Sequence, residues 1–420
     1  MAKFIIVGKN GFKLPNHPNV SSTLSGHSSV LTPQLADFLL NLGHDVSFVF
    51  PVRPGRLDQH FEFGSQSPKE LKLHPYGDTE FHKTPQSASM DSFIGAMGSA
   101  FSSTNVKEQE VIVISVYGFP FAPMVESLRS IRKFKHIVLL RGGDGDRWLS
   151  PERLQSEEIE FSSAEMISAW YRNALLNADV VCAASKWLAE RARSHGVCVH
   201  SISPTPPPQL DRFEIIERSQ KTISRIEKQN SILLTGKKLL LFAGRDSPDK
   251  RPDLALKAFE RWNPGNWSLL MFGIPKPEHS EVSSKGRVGY LTVSPVDLAA
   301  VSYFCDGFLH TSLKTNKFED ARPSAVSIAA SSGCPVVFPN NTGGVEECVS
   351  KYNRDHFAFE AIDGSINITT SNIVETLKIL DCDVRTKKAR SENLKLYENI
   401  KPSTIFKEVL AHALNESELA

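Results

Sequence analysis

The chain has 420 residues, which is long enough for two or more domains. Its 48 basic side chains are balanced by 47 acidic ones, and the formal net charge is +1. A chain with so little net charge has no overall field that would attract nucleic acid or a bilayer, so any anion binding must be local.

Cysteine usage and apolar patterning indicate a cytosolic protein. The six cysteines form no C-x-x-C pair and no spacing with histidine that suggests a metal site, and most lie inside apolar runs, as expected for reduced core residues. The first residues, MAKFIIVGKNGF, hold an apolar stretch too short for the core of a signal peptide. No window approaches the roughly 18 apolar residues that would span a bilayer.

Strand-like and helix-like segments alternate along the chain. Short β-branched and apolar runs predict strands, in chain order KFIIV, DVSFVFP, EVIVISVY, HIVLL, ADVVCAAS, KLLLFAG, WSLLMFG, DGFLHTS and CPVVFP. Amphipathic segments between them predict helices, among them VLTPQLADFLLNLG, SAEMISAWYRNALLN, DLALKAFERW and VSIAASSG. This order predicts an α/β fold with parallel sheets that are covered by helices on both faces.

The alternating pattern occurs twice, with a proline-rich and charged stretch between the two series. We therefore predict an N-terminal Rossmann-like domain over residues 1–205, a linker over 206–236 and a C-terminal Rossmann-like domain over 237–399. The cleft between two such doubly wound domains is the expected site.

In the stretch LLLFAGRDSPDKRPDLALKAF, a predicted buried strand is followed closely by cationic residues. Ligands of open α/β sheets gather at the carboxyl ends of strands, which places Gly244, Arg245 and Lys250 where a ligand would bind. A guanidinium fork and a mobile ammonium suit a diphosphate whose charge grows as it departs. A solvated loop, in which these cations pair with neighbouring aspartates, is the alternative.

A second stretch, FEDARPSAVSIAASSGCPVVFPNNTGGVEECV, supports the anion interpretation. It combines acid-x-x-Pro-Ser, small-small-Gly-x-Pro-Val-Val and a paired glycine, some seventy residues after the Gly-Arg-x-x-x-x-Lys run. In the N-terminal half, SGHSSVLTPQLADFLLNLGHDVSFV and NADVVCAASKWLAERARSHGV add further matches. Together these segments resemble the retaining glycosyltransferases of family 4, which have the GT-B fold of two facing Rossmann-like domains. The resemblance covers most of the chain except about residues 53–105.

The resemblance assigns roles to the two cations and the acid. Arg245 and Lys250 match the pair that stabilises the leaving nucleoside diphosphate, and Asp320 matches the first acid of the family's acid-x7-acid motif, which contacts the donor sugar. These three are the expected catalytic residues. The backbone N–H groups of Ser324 and Ala325 would meet the donor phosphates at a helix start.

Further donor-binding residues follow from the same resemblance. Gly26 matches a glycine of the first βα loop, although only one of the usual pair is present. Asp144 lies near a loop that usually carries a histidine; here the histidine is missing and Arg141 opens the motif. Gly343 and Gly344 match a turn that packs against the donor site.

One departure concerns the second acid of the motif. Eight positions after Asp320 stands Ile328, where the family has a glutamate that accepts hydrogen bonds from the donor ribose. Loss of one or two such bonds would cost about 0.5 to 1.5 kcal/mol each in affinity. Glu346 or Glu347 is a conjectural substitute.

The resemblance also implies the chemistry and the ligands. The donor is a UDP- or GDP-sugar whose base is read largely by backbone groups around Gly289, and the acceptor is a glycan, a lipid or a small molecule. No cofactor and no metal is required, because the leaving diphosphate assists deprotonation of the acceptor. The DGD run at Asp144–Asp146 is a D-x-D by letter, but such glycine-flanked aspartates more often cap turns.

Two surface features have less specific meanings. Arg129, Arg132, Lys133 and Lys135 lie close together, either as a solvated helix end or as a patch that docks peripherally on the inner membrane face. The amphipathic segment at about residues 400–420 is expected, by the resemblance, to cross back to the first domain.

Three classes of function remain after the sequence is read. The first is an active, metal-independent hexosyltransferase, and the second is a catalytically silent relative that binds or acts as a scaffold. The third is a nucleotide-dependent oxidoreductase or epimerase built on the weak G-x-x-G turn of GKNGF, which would leave the cations of the second domain unexplained.

Overall fold

The protein is described from a computed structural model. It describes residues 2–8, 28–52, 71–77, 87–102, 110–141, 147–155, 161–276, 287–314, 320–340, 342–362 and 365–414. The chain divides into two compact units. Unit 1 comprises Met1–Pro206 and Pro402–Ala420, and unit 2 comprises Pro207–Lys401.

Unit 1 is built on a seven-stranded sheet with the order β3-β2-β1-β4-β5-β6-β7. Every neighbouring pair is parallel, which confirms the predicted sheet type. The strands are β1 (Lys3–Gly8), β2 (Asp45–Val52), β3 (Lys72–Gly77), β4 (Val111–Val116), β5 (Lys135–Leu140), β6 (Val180–Ala183) and β7 (Ser201–Ile202). The order reverses between β1 and β4, as in a Rossmann-like fold.

Seven helices are described in unit 1. They are α1 (Ser28–Asn41), α2 (Ser87–Ser102), α3 (Phe121–Glu126), α4 (Pro151–Gln155), α5 (Phe161–Asn177), α6 (Lys186–Ser194) and α14 (Pro402–Ala411). The central strands are buried almost throughout, since β1 exposes none of its six residues and β4 and β5 are buried after their first residue. Continuous apolar runs of this kind are typical of parallel strands that are covered on both faces.

The C-terminal helix α14 is part of unit 1 although it follows unit 2 in the chain. Phe406 on α14 lies against Phe38 on α1, with ring centroids 5.5 Å apart. After the helix, the backbone carbonyl of Ala413 accepts a hydrogen bond of 2.6 Å from Nζ of Lys135. The core of unit 1 therefore uses residues from both ends of the described chain.

The basic segment before β5 is largely tied to unit 1. Arg129 donates to Oδ2 of Asp179 at 2.9 Å, and Lys135 pairs with Glu110 at 2.6 Å. The guanidinium of Arg132 stacks 4.5 Å from the ring centroid of Phe101. These contacts favour the helix-end interpretation, and membrane contact through Arg129, Arg132, Lys133 and Lys135 stays a prediction.

His136, which is buried in the sheet of unit 1, makes a group of polar contacts. Its Nε2 lies 2.9 Å from Oγ of Ser115, and its Nδ1 lies 3.1 Å from Oε2 of Glu126. Its backbone N–H donates to Oδ2 of Asp179 at 2.7 Å. Burial lowers the pKa of His136 although Glu126 opposes the shift, so the ring is neutral at pH 7.

We expect acidification to destabilise unit 1 through His136. The unfolded chain binds a proton on this ring near pH 6.5 and the folded chain does not, so the free energy of unfolding falls as the pH drops below that value, by up to about 1.4 kcal/mol per pH unit. Urea unfolding between about pH 5 and 8 measures the slope, which His136→Gln should reduce. The control is His412→Gln, since His412 is exposed; an equal reduction there would contradict the assignment.

Unit 2 repeats the architecture with a six-stranded parallel sheet of order β10-β9-β8-β11-β12-β13. The strands are β8 (Lys238–Ala243), β9 (Trp267–Phe272), β10 (Val288–Leu291), β11 (Gly307–Leu309), β12 (Val336–Pro339) and β13 (Ala358–Phe359). Its order reverses between β8 and β11, which are paired neighbours. Both units thus have the predicted Rossmann-like topology.

Helices cover both faces of this second sheet. They are α7 (Arg212–Asn230), α8 (Pro252–Trp262), α9 (Pro295–Phe304), α10 (Ser324–Ser331), α11 (Lys351–Phe357), α12 (Ile366–Lys378) and α13 (Asp383–Tyr397). Successive residues of β8 alternate between two apolar cores: Leu239 and Leu241 join one, and Leu240 and Phe242 join the other. The sheet is therefore buried on both sides, as the continuous apolar strands predicted.

The segment 206–236 differs from the predicted linker, because it contains α7. Asp211 and Glu214 form a reciprocal capping box at the start of this helix. Ile226 on its inner face is buried against Ile232 and Leu270 of unit 2. The prolines before Asp211 mark a boundary between the units, but the charged stretch after them is the outer face of a packed helix.

Candidate functional site

The strand order of unit 2 fixes where a ligand would bind. In an open α/β sheet the crevice lies at the carboxyl ends of the strands where the order reverses, which here are β8 and β11. Gly244 follows β8 directly, and His310 follows β11 directly. The loops after these two strands carry the candidate site.

Two glycines let the loops after β8 and β9 approach each other closely. A Cβ on Gly273 would lie 2.3 Å from the carbonyl oxygen of Gly244, and Gly273 has a φ of +80°. The N–H of Gly244 donates to the carbonyl of Phe272 at 3.0 Å. Gly244 was expected at the site, whereas Gly273 was not singled out in the sequence.

Lys250 and Asp320, which are far apart in sequence, meet at this edge. Nζ of Lys250 donates to Oδ1 and Oδ2 of Asp320 at 2.8 and 2.9 Å. The side chains are only 18% and 12% exposed, so the pair is largely shielded from solvent. We call this contact the Lys250–Asp320 pair; it joins two of the three predicted catalytic residues.

His310 stands on the other side of the same carboxylate. Its Nε2 lies 3.2 Å from Oδ2 of Asp320, at hydrogen-bond distance but not in ideal hydrogen-bond geometry, and the residue is only 5% exposed. Nothing in the sequence patterns pointed to this histidine; the one available signal was a polar His-Thr-Ser run directly after the apolar strand DGFL.

Charges around Asp320 keep it ionised. Burial opposes ionisation, but the ammonium of Lys250 and the contact with His310 outweigh burial and hold the pKa of the carboxyl well below its usual value. Burial lowers the pKa of His310, although Asp320 opposes that shift, so the ring is neutral at pH 7. These three contacting side chains are therefore one fixed cation, one fixed anion and one neutral imidazole.

Arg245 is placed differently from Lys250. Its side chain is 66% exposed, and the carboxylate oxygen with which it pairs among the described residues, on Asp249, lies 3.7 Å away. Such a weak exposed contact costs little to exchange. Arg245 is thus available to an incoming anion.

The start of α10 lies four residues after Asp320. Its N-cap residue is Pro323, which makes no side-chain capping hydrogen bond. The first N–H groups of a helix have no acceptor within the helix, and they carry a partial positive charge. The predicted phosphate-binding groups, the amides of Ser324 and Ala325, belong to this first turn.

The paired glycines pack directly against the acidic turn. Gly344 donates its N–H to the carbonyl of Asp320 at 3.0 Å, and a Cβ on Gly344 would lie 1.3 Å from the carbonyl oxygen of Ala321. Gly343 has a φ of +42° and begins a 3₁₀ turn over Gly343–Cys348. This turn therefore fixes the backbone that carries Asp320.

Two other predicted positions are in the apolar core. Ile328 on α10 is 4% exposed and belongs to the apolar cluster beside the sheet. Gly289 lies inside β10, where a Cβ would come within 2.5 Å of Ile226 and 2.9 Å of Ile232. The structure thus gives Gly289 a packing reason, and it is not among the residues brought together here.

Some expectations fall on positions or features that are only partly described. Gly26 and Asp144 lie outside the described residues. Within the described ranges, no group of three or more His, Cys, Asp or Glu side chains could hold a metal ion. Across the same ranges, every helix is too short or too polar to cross a membrane.

Thr311 holds the backbone of Lys250, and loss of its hydroxyl should lower the stability of unit 2. Its buried Oγ1 donates to the carbonyls of Lys250 and Arg251, at 3.0 and 2.9 Å. Thr311→Val leaves these carbonyls without that donor, and we expect the free energy of unfolding to fall by about 2 kcal/mol. Chemical denaturation is the measurement.

Thr386→Val is the matched control, because this half-buried hydroxyl also lies near two carbonyls, at 3.2 and 3.1 Å. Near the surface its removal should cost about 0.5 kcal/mol or less. Equal losses in the two variants would show that the contact at Lys250 has no special value.

Solved structures resemble this chain over its whole length. No protein-family model and no curated protein matches the sequence. Sucrose-phosphate synthase from Thermosynechococcus elongatus matches with a TM-score of 0.61 at 13% identity, over 100% of this chain and 96% of that one. HepE from Anabaena, in complex with UDP-glucose, matches with a TM-score of 0.64 at 12% identity, over 98% and 99%.

A glycosyltransferase from Rickettsia africae matches with a TM-score of 0.63 at 11% identity, over 99% of both chains. These structures share both Rossmann-like units with the present chain, which confirms the predicted fold class. The chain has the GT-B fold. Within that GT-B framework, the Lys250–Asp320 pair belongs to the second unit, at the reversal point of its strand order.

Proposed function

We propose that the chain is a retaining glycosyltransferase, which moves a hexose from a nucleotide diphosphate sugar to a glycan, lipid or small-molecule acceptor without a divalent metal. The observation that carries this proposal is the Lys250–Asp320 pair at the carboxyl ends of β8 and β11. A shielded, charged pair at this position is suited to a polar anionic ligand.

The cations provide the binding site for the donor diphosphate. Arg245 offers a planar fork on the surface, and Lys250 offers an ammonium within the shielded pair. The first turn of α10 adds N–H groups that favour anions. Arg245, Lys250 and the amides of Ser324 and Ala325 together match the chemistry of two linked phosphates.

The reaction needs stabilisation of the leaving group more than it needs a protein nucleophile. Negative charge develops on the diphosphate as its bond to the sugar breaks, and donors aimed at that charge lower the barrier. In the retaining mechanism that the sequence resemblance implies, a phosphate oxygen accepts the proton of the acceptor hydroxyl on the same face of the sugar. Asp320 is then the acid nearest the sugar.

UDP-sugars are the first donors to test. HepE, which shares the fold, has been solved with UDP-glucose, and this favours uracil over guanine as the starting choice. Gly26, Asp144 and Gly289 remain proposed donor contacts on the strength of the sequence resemblance alone. Gly343 and Gly344 are proposed to act by holding the turn of Asp320.

A catalytically silent binding protein is the second candidate. Ile328 is packed in the core at the position where related enzymes accept hydrogen bonds from ribose, so this position offers the donor no polar group. Weaker donor binding is the direct expectation. Together with the histidine that is missing near Asp144 in the sequence, this buried apolar side chain favours the silent candidate.

A donor screen separates the two candidates. Thermal shift and donor hydrolysis are measured with UDP- and GDP-sugars in the presence of EDTA, on the wild type and on Arg245→Ala/Lys250→Ala. Lys351→Ala/Lys378→Ala is the control, because it also removes two cations but both are exposed on unit 2.

A donor that stabilises and is hydrolysed by the wild type and the control, but not by the double variant, supports the transferase. Binding without hydrolysis or transfer favours the silent relative. If no nucleotide sugar binds at millimolar concentration, the proposed function is wrong.

A further inference from the structure

Two adjacent residues at the end of β11 hold both members of the Lys250–Asp320 pair. The N–H of His310 donates to the carbonyl of Val337 at 2.8 Å, which extends the pairing with β12, and its ring contacts Asp320. Thr311 donates to the carbonyl of Lys250. The end of β11 therefore contacts the carboxylate of Asp320 through the His310 side chain, and the backbone of Lys250 through the Thr311 side chain.

The carboxylate of Asp320 lies between a fixed cation and a titratable ring. Lys250 contacts both of its oxygens, whereas His310 contacts only Oδ2. Among the described residues, the charged groups that act on His310 are Asp320, which favours the imidazolium, and Lys250, which disfavours it. Within the described part of the chain, both charges that act on this ring therefore belong to the pair.

Phosphate binding would change this balance in one direction. An anion at Lys250 offsets the ammonium field and takes up some of its N–H donors, which leaves Asp320 with less compensation. A buried carboxylate that loses part of its counter-charge is costly to keep ionised. A proton on the adjacent imidazole removes that cost.

We propose that His310 is the positioning residue of this site: it holds Asp320 beside Lys250, and it gains a proton when the phosphates of a nucleotide donor engage Lys250. The inference rests on the proposed function, because the donor supplies the phosphates. The proton comes from solvent, no covalent bond to carbon or phosphorus changes, and the bound site keeps a charged partner for Asp320.

The direction of the linkage follows from the charges. In the free protein the pKa of His310 lies below 6.5, so the ring is neutral near pH 7. An anion at Lys250 raises that pKa, so binding takes up a proton at pH values between the free and bound pKa. Affinity for the anion therefore increases as the pH falls through this window.

Calorimetric titration with UDP and with GDP tests the inference. Each protein is titrated between about pH 5.5 and 7.5 in pairs of buffers that differ in ionisation enthalpy, which gives the number of protons taken up per bound nucleotide. The proteins are the wild type, His310→Gln and Asp320→Asn, with His356→Gln as the control. His356 lies on α11, where its ring centroid lies 4.3 Å from that of Tyr352.

The free nucleotide ionises identically in every titration, so differences in proton uptake between proteins come from the site that the substitution changes. We expect the wild type and His356→Gln to take up as much as about one proton more than His310→Gln. The ratio of the dissociation constant of the wild type to that of His310→Gln should fall by up to about tenfold per pH unit of acidification. Asp320→Asn keeps the ring but removes the carboxylate, and it should lose the extra proton as well.

Three results would overturn the inference. Equal proton uptake in the wild type and His310→Gln would overturn it alone and leave the proposed function intact. Loss of the extra proton in His356→Gln would show that His356, and not His310, takes it up. Failure of the wild type to bind either nucleotide would remove the proposed function and this inference together. If His310→Gln does not fold, Asp320→Asn provides the same comparison.

Discussion

Replacing Gly344 with alanine is expected to destabilise unit 2 by about 3 kcal/mol or more and to abolish nucleotide binding. The new Cβ would lie 1.3 Å from the carbonyl oxygen of Ala321 and 2.3 Å from its carbon, whereas real Cβ atoms essentially never come within 3.0 Å. No side-chain rotation relieves a clash between Cβ and backbone, so the 3₁₀ turn and the acidic turn must move apart. That movement breaks the hydrogen bond from Gly344 to Asp320.

The loss is measured by urea denaturation and by thermal shift with UDP. Gly265→Ala is the matched control, because a Cβ at Gly265 meets nothing within 4 Å. Its effect should stay within about 0.5 kcal/mol, as for a typical surface substitution. A Gly344→Ala protein as stable as this control would show that the two turns do not pack as described.

Lys250→Met should have the second largest effect, and it should act on stability as well as on activity. Methionine keeps much of the length but not the charge, and it leaves the carboxylate of Asp320 buried with His310 as its remaining contact. Breaking a shielded pair in this way costs about 3 kcal/mol at neutral pH. Donor turnover should fall by roughly 10² to 10³, as when one donor to a developing oxyanion is removed.

A double-variant cycle distinguishes a broken pair from a general loss of packing. Lys250→Met/Asp320→Asn removes the buried charge along with its partner, so it should be more stable than Lys250→Met alone. If the double variant is the less stable of the two, the pair does not stabilise the fold as described. Both variants should remain inactive, which separates the stability effect from the catalytic one.

The pH dependence of Lys250→Met gives a further check. In the wild type Lys250 helps hold the pKa of Asp320 below 3.8, so the stabilisation by this carboxylate is complete above that value and is lost as the pH falls through the lower, folded-state pKa. In the variant, burial acts without the ammonium and raises the pKa of Asp320. The stability deficit should therefore shrink on acidification towards about pH 4, because protonation removes the buried charge.

The sequence predicted the candidate site best where charged residues directly follow a strand. Short apolar runs that alternate with amphipathic segments predicted the parallel strands. The cations after β8 predicted an anion site, because parallel strands bring their carboxyl ends to one edge. The Lys250–Asp320 pair joins a cation that was predicted from its place after β8 to an acid that was predicted from the family resemblance. Arg245 was also expected there, and its exposure is consistent with a ligand contact.

Other features were not predictable in this way. His310 and Thr311 act through contacts between segments that are 10 and 61 residues apart, which no local pattern records. Gly273 matters only because Gly244 lies against it across two strand ends. The helix α7 was not predicted within the linker, although a local signal for it exists. Asp211 and Glu214 form a capping box, which is visible in the letters DRFE beside the prolines that predicted the linker.

The position of α14 has a consequence for the order in which the protein forms. Unit 1 needs Phe406 of α14 against Phe38, yet all of unit 2, Pro207–Lys401, comes between them in the chain. A ribosome therefore releases the whole of unit 2 before it makes the helix that completes unit 1. During synthesis the second unit can fold before α14 exists. Until then the part of α1 around Phe38 that α14 covers stays exposed, and chaperones would bind it at that stage.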